Sequence, residues 1–167
     1  GGEDDVSIFQ HGYAHASHSD VGGDKIELGG RPPTEVTAEL ATGRCRLDDL
    51  FGPALLPVMV PPWNRIDGDV IPLLPGLGYE GLSMFSARAV RLPVPGLVMV
   101  NTHVDIIDWP HTRAFCGESA ALGAAVGHLA ARRLGDLDGT VDGAEPTGLL
   151  THHLAHDKGC WDFIEEF

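Results

Sequence analysis

The sequence predicts an α/β fold built around a parallel sheet. Five short segments are apolar almost throughout instead of alternating, which is typical of strands covered on both faces, and such strands usually belong to parallel sheets. Segments with helical features lie between them, and this alternation is characteristic of α/β proteins. The chain has 167 residues and 43% hydrophobic content, so we expect a single domain over residues 1–167.

The first elements in chain order are strands and one helix. The predicted strands span residues 6–10, 56–60, 82–85, 97–101 and 149–151. A helix is expected over residues 34–41, because Pro32 and Pro33 precede it and Gly43 follows it. Helices favour proline before the first turn and glycine after the last one.

The clearest helix is expected over residues 118–134. It begins with Glu118, and two arginines lie near its C-terminal end, where the helix dipole favours cations. Gly135 is expected to end it. Its apolar side chains recur with the helical period and predict a stripe that faces the core: Leu122, Val126, Leu129 and Ala130. His128 lies inside this helix and is expected to serve in packing or at the surface.

Two shorter helices complete the prediction. Residues 69–77 are expected to form a short helix that Pro72 and Pro75 interrupt. Residues 156–167 are expected to form the last helix, with Asp157 near its N-terminal cap. Three of its apolar side chains are expected to face the core: Trp161, Phe163 and Ile164.

Composition and charge exclude several classes of partner. A net charge of −13 leaves no surplus of Lys and Arg to bind phosphate groups, so we expect neither nucleic acid nor an anionic membrane as a partner. No stretch approaches the ~18 apolar residues of a membrane span, and the first residues lack the features of a signal peptide. The three cysteines are scattered without a Cys-x-x-Cys pair, which favours a reducing compartment such as the cytoplasm.

Polar and aromatic clusters follow four of the predicted strands. They are His11-Gly-Tyr-Ala-His15, Pro61-Pro62-Trp63-Asn64-Arg65, Asn101-Thr102-His103-Val104-Asp105-Ile106-Ile107-Asp108-Trp109, and Thr151-His152-His153. The carboxyl ends of parallel strands share one edge, where the active sites of α/β proteins are built. The clusters therefore predict one functional site at that edge.

The first cluster has the spacing of a metal site. His11 and His15 are four residues apart, which can bring both imidazoles onto one cation, and imidazole is the commonest metal ligand of proteins. A catalytic zinc usually takes three protein ligands, so a third is needed, and Asp20 is one candidate. The alternative is that one histidine caps the strand end and the other faces the solvent.

Together, the clusters resemble the motifs of the polysaccharide deacetylase (NodB-homology) family. His11-Gly-Tyr-Ala-His15 is similar to its metal-binding histidine pair, and Asp105-Ile-Ile-Asp108-Trp109 matches an Asp-x-x-Asp-Trp segment of the family. The resemblance implies a distorted (β/α) barrel, a divalent metal, namely zinc, and removal of N-acetyl groups from a carbohydrate. A small N-acetylated molecule is the alternative substrate.

The resemblance also implies roles for individual residues. It makes His11 and His15 metal ligands, His153 or His152 the general acid, and Asp105 and Asp108 the carboxylates that orient the acid and the charged wall of the site. Val60 stands at the position of the wall arginine, which Arg65 could replace. Three aromatic side chains are expected to contact substrate: Tyr13, Trp63 and Trp109.

One motif of the family has no counterpart at the expected place. The family begins with a strand that ends in two aspartates, whereas Asp4 and Asp5 precede the first strand here. We therefore expect a barrel that is incomplete at its amino end and exposes strand edges, which makes a homo-oligomer possible. The missing acids also support an alternative function, a catalytically inactive relative that binds carbohydrate or a protein partner.

Overall fold

A computed structural model describes residues 6–19, 23–138 and 140–167, without the side chains of residues 136–138. The expectations for Asp4, Asp5 and Asp20 lie outside the described residues. Contacts divide the chain into two compact units, one formed by Gly1–Met84 with Arg91–Val100 and the other by Phe85–Val90 with Asn101–Phe167. We call them unit 1 and unit 2.

Unit 1 contains a four-stranded parallel sheet. Its strands are β1 (Ile8–Gln10), β2 (Leu55–Met59), β3 (Gly81–Leu82) and β4 (Val98–Met99), and they pair in chain order. Each overlaps a predicted strand. The buried apolar side chains around this sheet are Leu28, Val36, Leu40, Met59, Val70, Leu74, Tyr79, Leu82, Leu97 and Met99.

Helix α1 spans Pro33–Phe51 and continues well beyond the predicted end at Gly43. Gly43 serves close packing instead of helix termination. A Cβ atom at this position would lie 2.7 Å from Nε2 of Gln10, so only glycine lets the helix approach β1 this closely. In place of the predicted helix over residues 69–77 there are two single 3-10 turns, Ile71–Leu73 and Pro75–Leu77.

The end of β1 is fixed by the buried amide of Gln10. Its Nε2 atom donates to the carbonyls of Leu40 and Gly12, both at 3.1 Å, and its Oε1 atom accepts from the hydroxyl of Tyr79 at 2.5 Å. Buried polar groups are costly unless they are hydrogen-bonded, and here the bonds tie the strand to α1. The residue that directly precedes His11 is therefore held in a rigid setting.

Unit 2 pairs two short parallel strands, β5 (Val104–Asp105) and β6 (Leu149–Leu150), with helices α2 (Glu118–Asp138) and α3 (Lys158–Glu166). Strand β6 overlaps the strand predicted over residues 149–151, whereas β5 was not predicted as a strand and lies inside the polar cluster that follows residue 101. The carboxylate of Asp157 caps α3 by accepting the N–H of Cys160 at 3.0 Å. The buried apolar side chains of unit 2 are Val104, Ile106, Ile107, Ala121, Ala125, Cys160 and Phe163.

Helix α2 begins at Glu118 as predicted but continues past the predicted end at Gly135 to Asp138, and the face expected to be buried is wrong. The predicted stripe is exposed at all four positions: Leu122, Val126, Leu129 and Ala130. The helix instead buries Ala121, Ala125 and His128, because the alanines permit close packing and the ring of His128 bonds Thr147. In α3, Phe163 is buried as predicted, whereas Trp161 is 49% exposed.

These strands and helices make the protein a mixed α/β structure with parallel strand pairs. The distorted barrel and the single domain over residues 1–167 stay predictions. None of the described helices has the length and apolar character that crossing a bilayer requires.

Candidate functional site

The predicted histidine pair lies on the loop that leaves the carboxyl end of β1. Gly12 has φ +66°, and a Cβ atom there would come within 2.6 Å of Cγ of Pro62 and 2.7 Å of Oε1 of Glu27. His15 also adopts the left-handed region, with φ +53°, which is costly for a residue with a side chain. The loop therefore has a specific, tightly packed conformation that must be supported by its surroundings.

The support comes from Glu27, whose side chain is almost fully buried at 1% exposure. Its Oε1 atom accepts the backbone N–H groups of Tyr13 and Ala14, the second at 3.1 Å, and its Oε2 atom accepts that of Ala16 at 3.1 Å. Hydrogen bonds from N–H groups to a charged carboxylate are stronger than those between neutral groups. One carboxylate thus holds the backbone on both sides of His15.

A hydrogen bond to a backbone carbonyl determines which nitrogen of the His11 ring carries the hydrogen. Its Nδ1 atom lies 2.8 Å from the carbonyl oxygen of Val60, just beyond the end of β2. A carbonyl can only accept, so Nδ1 carries the hydrogen, and in the neutral ring Nε2 keeps a free lone pair. Histidines that bind metals characteristically donate their other N–H in this way. His11 is exposed, so this nitrogen can be reached.

His15 lies beside His11, with 5.2 Å between the ring centroids, and it meets the ring of Trp63 in a T-shaped arrangement with 4.3 Å between centroids. Trp63 and Asn64 both have positive φ, near +55°, which makes this a second strained turn. The structure thus brings together three predicted residues: His11, His15 and Trp63. Among the described residues, no other His, Cys, Asp or Glu joins this histidine pair in a group of three metal ligands.

Two other predicted residues of unit 1 make different contacts. The guanidinium of Arg65 lies 3.2 Å from a carboxylate oxygen of Asp24 and donates to the carbonyl of Lys25 at 3.3 Å. The ring of Tyr13 is 37% exposed, and the guanidinium of Arg46 lies over it at 5.7 Å. The ammonium of Lys25 lies 5.7 Å from the ring of Trp63, so this aromatic face has a cation beside it.

In unit 2 the parallel pairing of β5 and β6 brings Asp105 and His152 together, because the two residues lie at the same edge of the strands. Nε2 of His152 lies 3.2 Å from Oδ2 of Asp105, and the same oxygen accepts Nε1–H of Trp109 at 2.9 Å. The N–H of Ile107 donates to Oδ1 at 3.0 Å. The edge of Trp109 also contacts the His152 ring, with 4.8 Å between centroids.

The charge of Asp105 is stabilised by these partners. Burial raises the pKa of its carboxyl, but the hydrogen bonds from His152, the Ile107 N–H and Trp109 outweigh burial and hold the pKa below its usual range. A carboxylate accepts but cannot donate, so Nε2 of His152 carries a hydrogen. The side chain of His152 is 30% exposed, which leaves part of the ring accessible.

Asp108 and His153, the other members of this predicted set, lie apart from the pair. Asp108 accepts from Nδ1 of His111 at 2.8 Å, and this bond lowers the pKa of its carboxyl. His153 is exposed. Of the two histidines proposed for the acid, the structure therefore places His152 at Asp105.

A second histidine group, which the sequence did not indicate, is buried in unit 2. His103 is 8% exposed, His128 is 7% exposed and Glu145 is fully buried. One possible ligand atom of each residue lies within 4.8 Å of the others, so this group could hold a metal ion. The structure thus contains a group able to hold a metal ion, at other residues than His11 and His15, and binding of zinc stays a prediction. The three come from separate segments, and no local spacing could have revealed them.

The carboxylate of Glu145 is already well bonded. Its Oε2 atom accepts the N–H of Arg88 at 2.7 Å, and its Oε1 atom accepts the N–H of Asn101 at 2.9 Å. The Nε2 atoms of His103 and His128 lie 3.2 and 4.0 Å from Oε2, yet neither is directed along a hydrogen bond. Glu145 thus links three segments of unit 2.

The two rings of this group are oriented unlike those of most metal-binding histidines. They stack with 3.4 Å between ring centroids and 16° between ring planes, so the two rings lie nearly parallel, one over the other. Nδ1 of His103 accepts the N–H of Gly148 at 3.1 Å, so in the neutral ring Nε2 carries the hydrogen. Burial, followed by the nearby His103, lowers the pKa of His128. A metal at Nε2 of His103 would cost the Gly148 bond.

No protein-family model, curated protein or solved structure matches the chain. The geometry of the described residues is therefore the basis for any functional conclusion.

Proposed function

We propose that the chain is a metal-dependent hydrolase that removes N-acetyl groups from a carbohydrate or a small N-acetylated molecule. The observation that carries this proposal is the Asp105–His152 pair with Trp109 bonded to the same carboxylate oxygen. A histidine oriented by a carboxylate, and accessible to solvent, is the arrangement that proton transfer to a departing group requires.

His152 is the group that we assign to this transfer. Asp105 holds its Nε2–H, so Nδ1 is the nitrogen that takes up a proton and passes it to the departing amine. The hydrogen bonds that lower the pKa of Asp105 keep its carboxylate charged, and this carboxylate orients the ring of His152. A positioned proton transfer of this kind contributes about 10²–10⁴ in rate.

His11 and His15 are the residues that we assign to a divalent metal, and zinc suits their imidazole nitrogens. The fit is supported by the bond from His11 to the carbonyl of Val60, which leaves Nε2 free, and by the neighbouring His15 ring. When bound, zinc would supply Lewis acidity to polarise the acetamide carbonyl and would lower the pKa of water toward about 7. The pair provides two of the three protein ligands that a catalytic zinc usually has.

Exposed aromatic rings are suited to a sugar. Trp109 is 43% exposed and Tyr13 is 37% exposed, while Trp63 is partly buried against His15. Aromatic rings present an apolar face together with a polar edge, which suits a sugar ring with apolar C–H and polar hydroxyl groups. We therefore assign substrate contact to these three side chains.

Release of acetate from N-acetylglucosamine oligomers, measured with and without added zinc or cobalt, tests the proposal. We expect chelator-sensitive release by the wild-type chain, and a loss of about 10²–10⁴ in rate for His152→Ala. His153→Ala should change the rate far less, because His153 lies away from Asp105. Equal rates for His152→Ala and the wild type would refute the assignment.

The same assay identifies the alternative. Binding of the oligomers without acetate release, unchanged by chelators, would favour an inactive relative that binds carbohydrate through its aromatic rings. No binding and no release would contradict both functions.

A further inference from the structure

The carboxylate of Glu27 is buried, and the hydrogen bonds that it accepts from the described residues come from the histidine loop. The carboxylate is 1% exposed and accepts three backbone N–H groups, those of Tyr13, Ala14 and Ala16. A buried charge is very costly unless it is paired or well hydrogen-bonded. Three converging N–H groups form an anion-binding concavity in the backbone, and here the anion belongs to the protein itself.

The two histidine rings of this loop depend on Glu27 to different degrees. The ring of His11 has its own hydrogen bond to the Val60 carbonyl, which orients it independently of the loop. The ring of His15 is placed by contacts with His11 and Trp63, and by a backbone with φ +53°. A left-handed residue with a side chain persists only where its surroundings enforce it. The bonds of Glu27 flank His15 and enforce that backbone.

We propose that Glu27 is a positioning residue of the metal site, which holds the loop so that His15 lies beside His11. This inference rests on the proposed function, because it assigns the histidine pair to a metal. Glu27 does not touch the metal; it acts through the Tyr13, Ala14 and Ala16 amides. Its removal should therefore disturb His15 and leave His11 in place.

The variant Glu27→Gln tests this role, because it keeps the shape of the side chain but loses the charge and replaces one acceptor oxygen with an N–H₂ donor. We expect its affinity for Co²⁺, measured by calorimetry and by the visible absorption of the bound ion, to fall about 10–100-fold, as is typical when a residue supporting metal ligands is lost. In the metal-free protein, the NMR resonances of the His15 ring should shift, while those of the His11 ring stay near their wild-type positions.

Glu39→Gln is the matched control. Glu39 lies in the same unit and binds Arg31 instead of the loop amides, so its replacement removes a carboxylate but none of the bonds to Tyr13, Ala14 and Ala16. It should bind Co²⁺ with wild-type affinity. If Glu27→Gln fails to fold, Glu27→Asp keeps the charge with a shorter reach and should show the same selective shift of the His15 ring.

Unchanged Co²⁺ affinity in a folded Glu27→Gln protein would overturn the inference, and so would equal disturbance of the two histidine rings. Failure of the proposed function gives a different result, namely a wild-type chain that binds no Co²⁺. The ring resonances of the metal-free variants then decide the role of Glu27 alone, and an unshifted His15 ring would refute it.

Discussion

The protein has two histidine pairs, each associated with a buried carboxylate, and the two are built in opposite ways. In unit 1, Glu27 binds the backbone of the loop, and the rings of His11 and His15 are exposed. In unit 2, the carboxylate of Glu145 faces the rings of His103 and His128, which are stacked and buried.

The hydrogen-bond partner of Nδ1 in one ring of each pair shows how the two pairs differ in their ability to bind a cation. Nδ1 of His11 faces an acceptor, the carbonyl of Val60, so Nε2 offers a lone pair to a cation. Nδ1 of His103 faces a donor, the N–H of Gly148, so in the neutral ring Nε2 carries the hydrogen and has no lone pair for a cation. The buried group could hold a metal ion because its ligand atoms lie close together. The positions of the ring hydrogens, however, favour metal binding by the exposed pair.

The largest expected difference between the buried histidine group and the exposed pair is in their contribution to the stability of the protein. Glu145→Ala removes the carboxylate that accepts the buried N–H groups of Arg88 and Asn101. Each such loss costs about 1–3 kcal/mol, so the free energy of unfolding should fall by about 2–6 kcal/mol in urea titrations. Glu165→Ala, at an exposed position of α3, is the matched control and should stay within about 0.5 kcal/mol of the wild type.

Metal affinity measured on the same variant decides between the groups. A folded Glu145→Ala protein should bind zinc as the wild type does, because we assign the ion to unit 1. If it instead loses zinc while the wild type binds one ion per chain, the buried group is the metal site and the exposed pair is not.

The second effect concerns the exposed pair. His11→Ala removes the imidazole whose Nε2 is free, and zinc affinity should fall by at least about 100-fold, equivalent to about 2.8 kcal/mol, in calorimetric titrations. His18→Ala is a suitable control, since His18 is exposed and lies further along the same segment. Stability in the absence of metal should change little, because the ring of His11 is exposed. Unaltered zinc affinity would exclude His11 as a ligand.

Local patterns in the sequence predicted much of what unit 1 shows. The spacing of His11 and His15 and the position of the loop after a strand placed the pair correctly, and Trp63 joined it because β1 and β2 are parallel neighbours. The predicted end of α1 was wrong, because Gly43 allows close packing against Gln10 and does not end the helix. Such tertiary packing has no local sequence signal.

The buried group of unit 2 could not be predicted, since its three residues come from different segments. His128 was expected to pack or to lie at the surface, and it does pack, but its neighbours His103 and Glu145 are known only from the folded chain.

The buried face of α2 was predicted wrongly for the same reason, since contacts between distant segments decide it. Its apolar period is correct, yet packing selects the side with Ala121 and Ala125, where small side chains allow close approach. Periodicity predicts a helix but not which of its faces is covered.

The smallest effect expected is a pH dependence of stability that comes from His128 of the buried group. Burial, and then the nearby His103, lowers the pKa of His128 below the 6.5 of an unperturbed histidine. Between these two values the unfolded chain binds more protons than the folded one, so the free energy of unfolding falls as the pH drops below about 6.5. Each unit of pKa difference contributes about 1.4 kcal/mol.

His128→Asn, whose amide can replace the bond to Thr147, should lose this dependence between pH 7.5 and 5.5 in urea titrations performed with a chelator. An equal loss of stability on acidification in both proteins would show that His128 is protonated as easily in the folded chain as in the unfolded one, and that the buried group does not exclude charge.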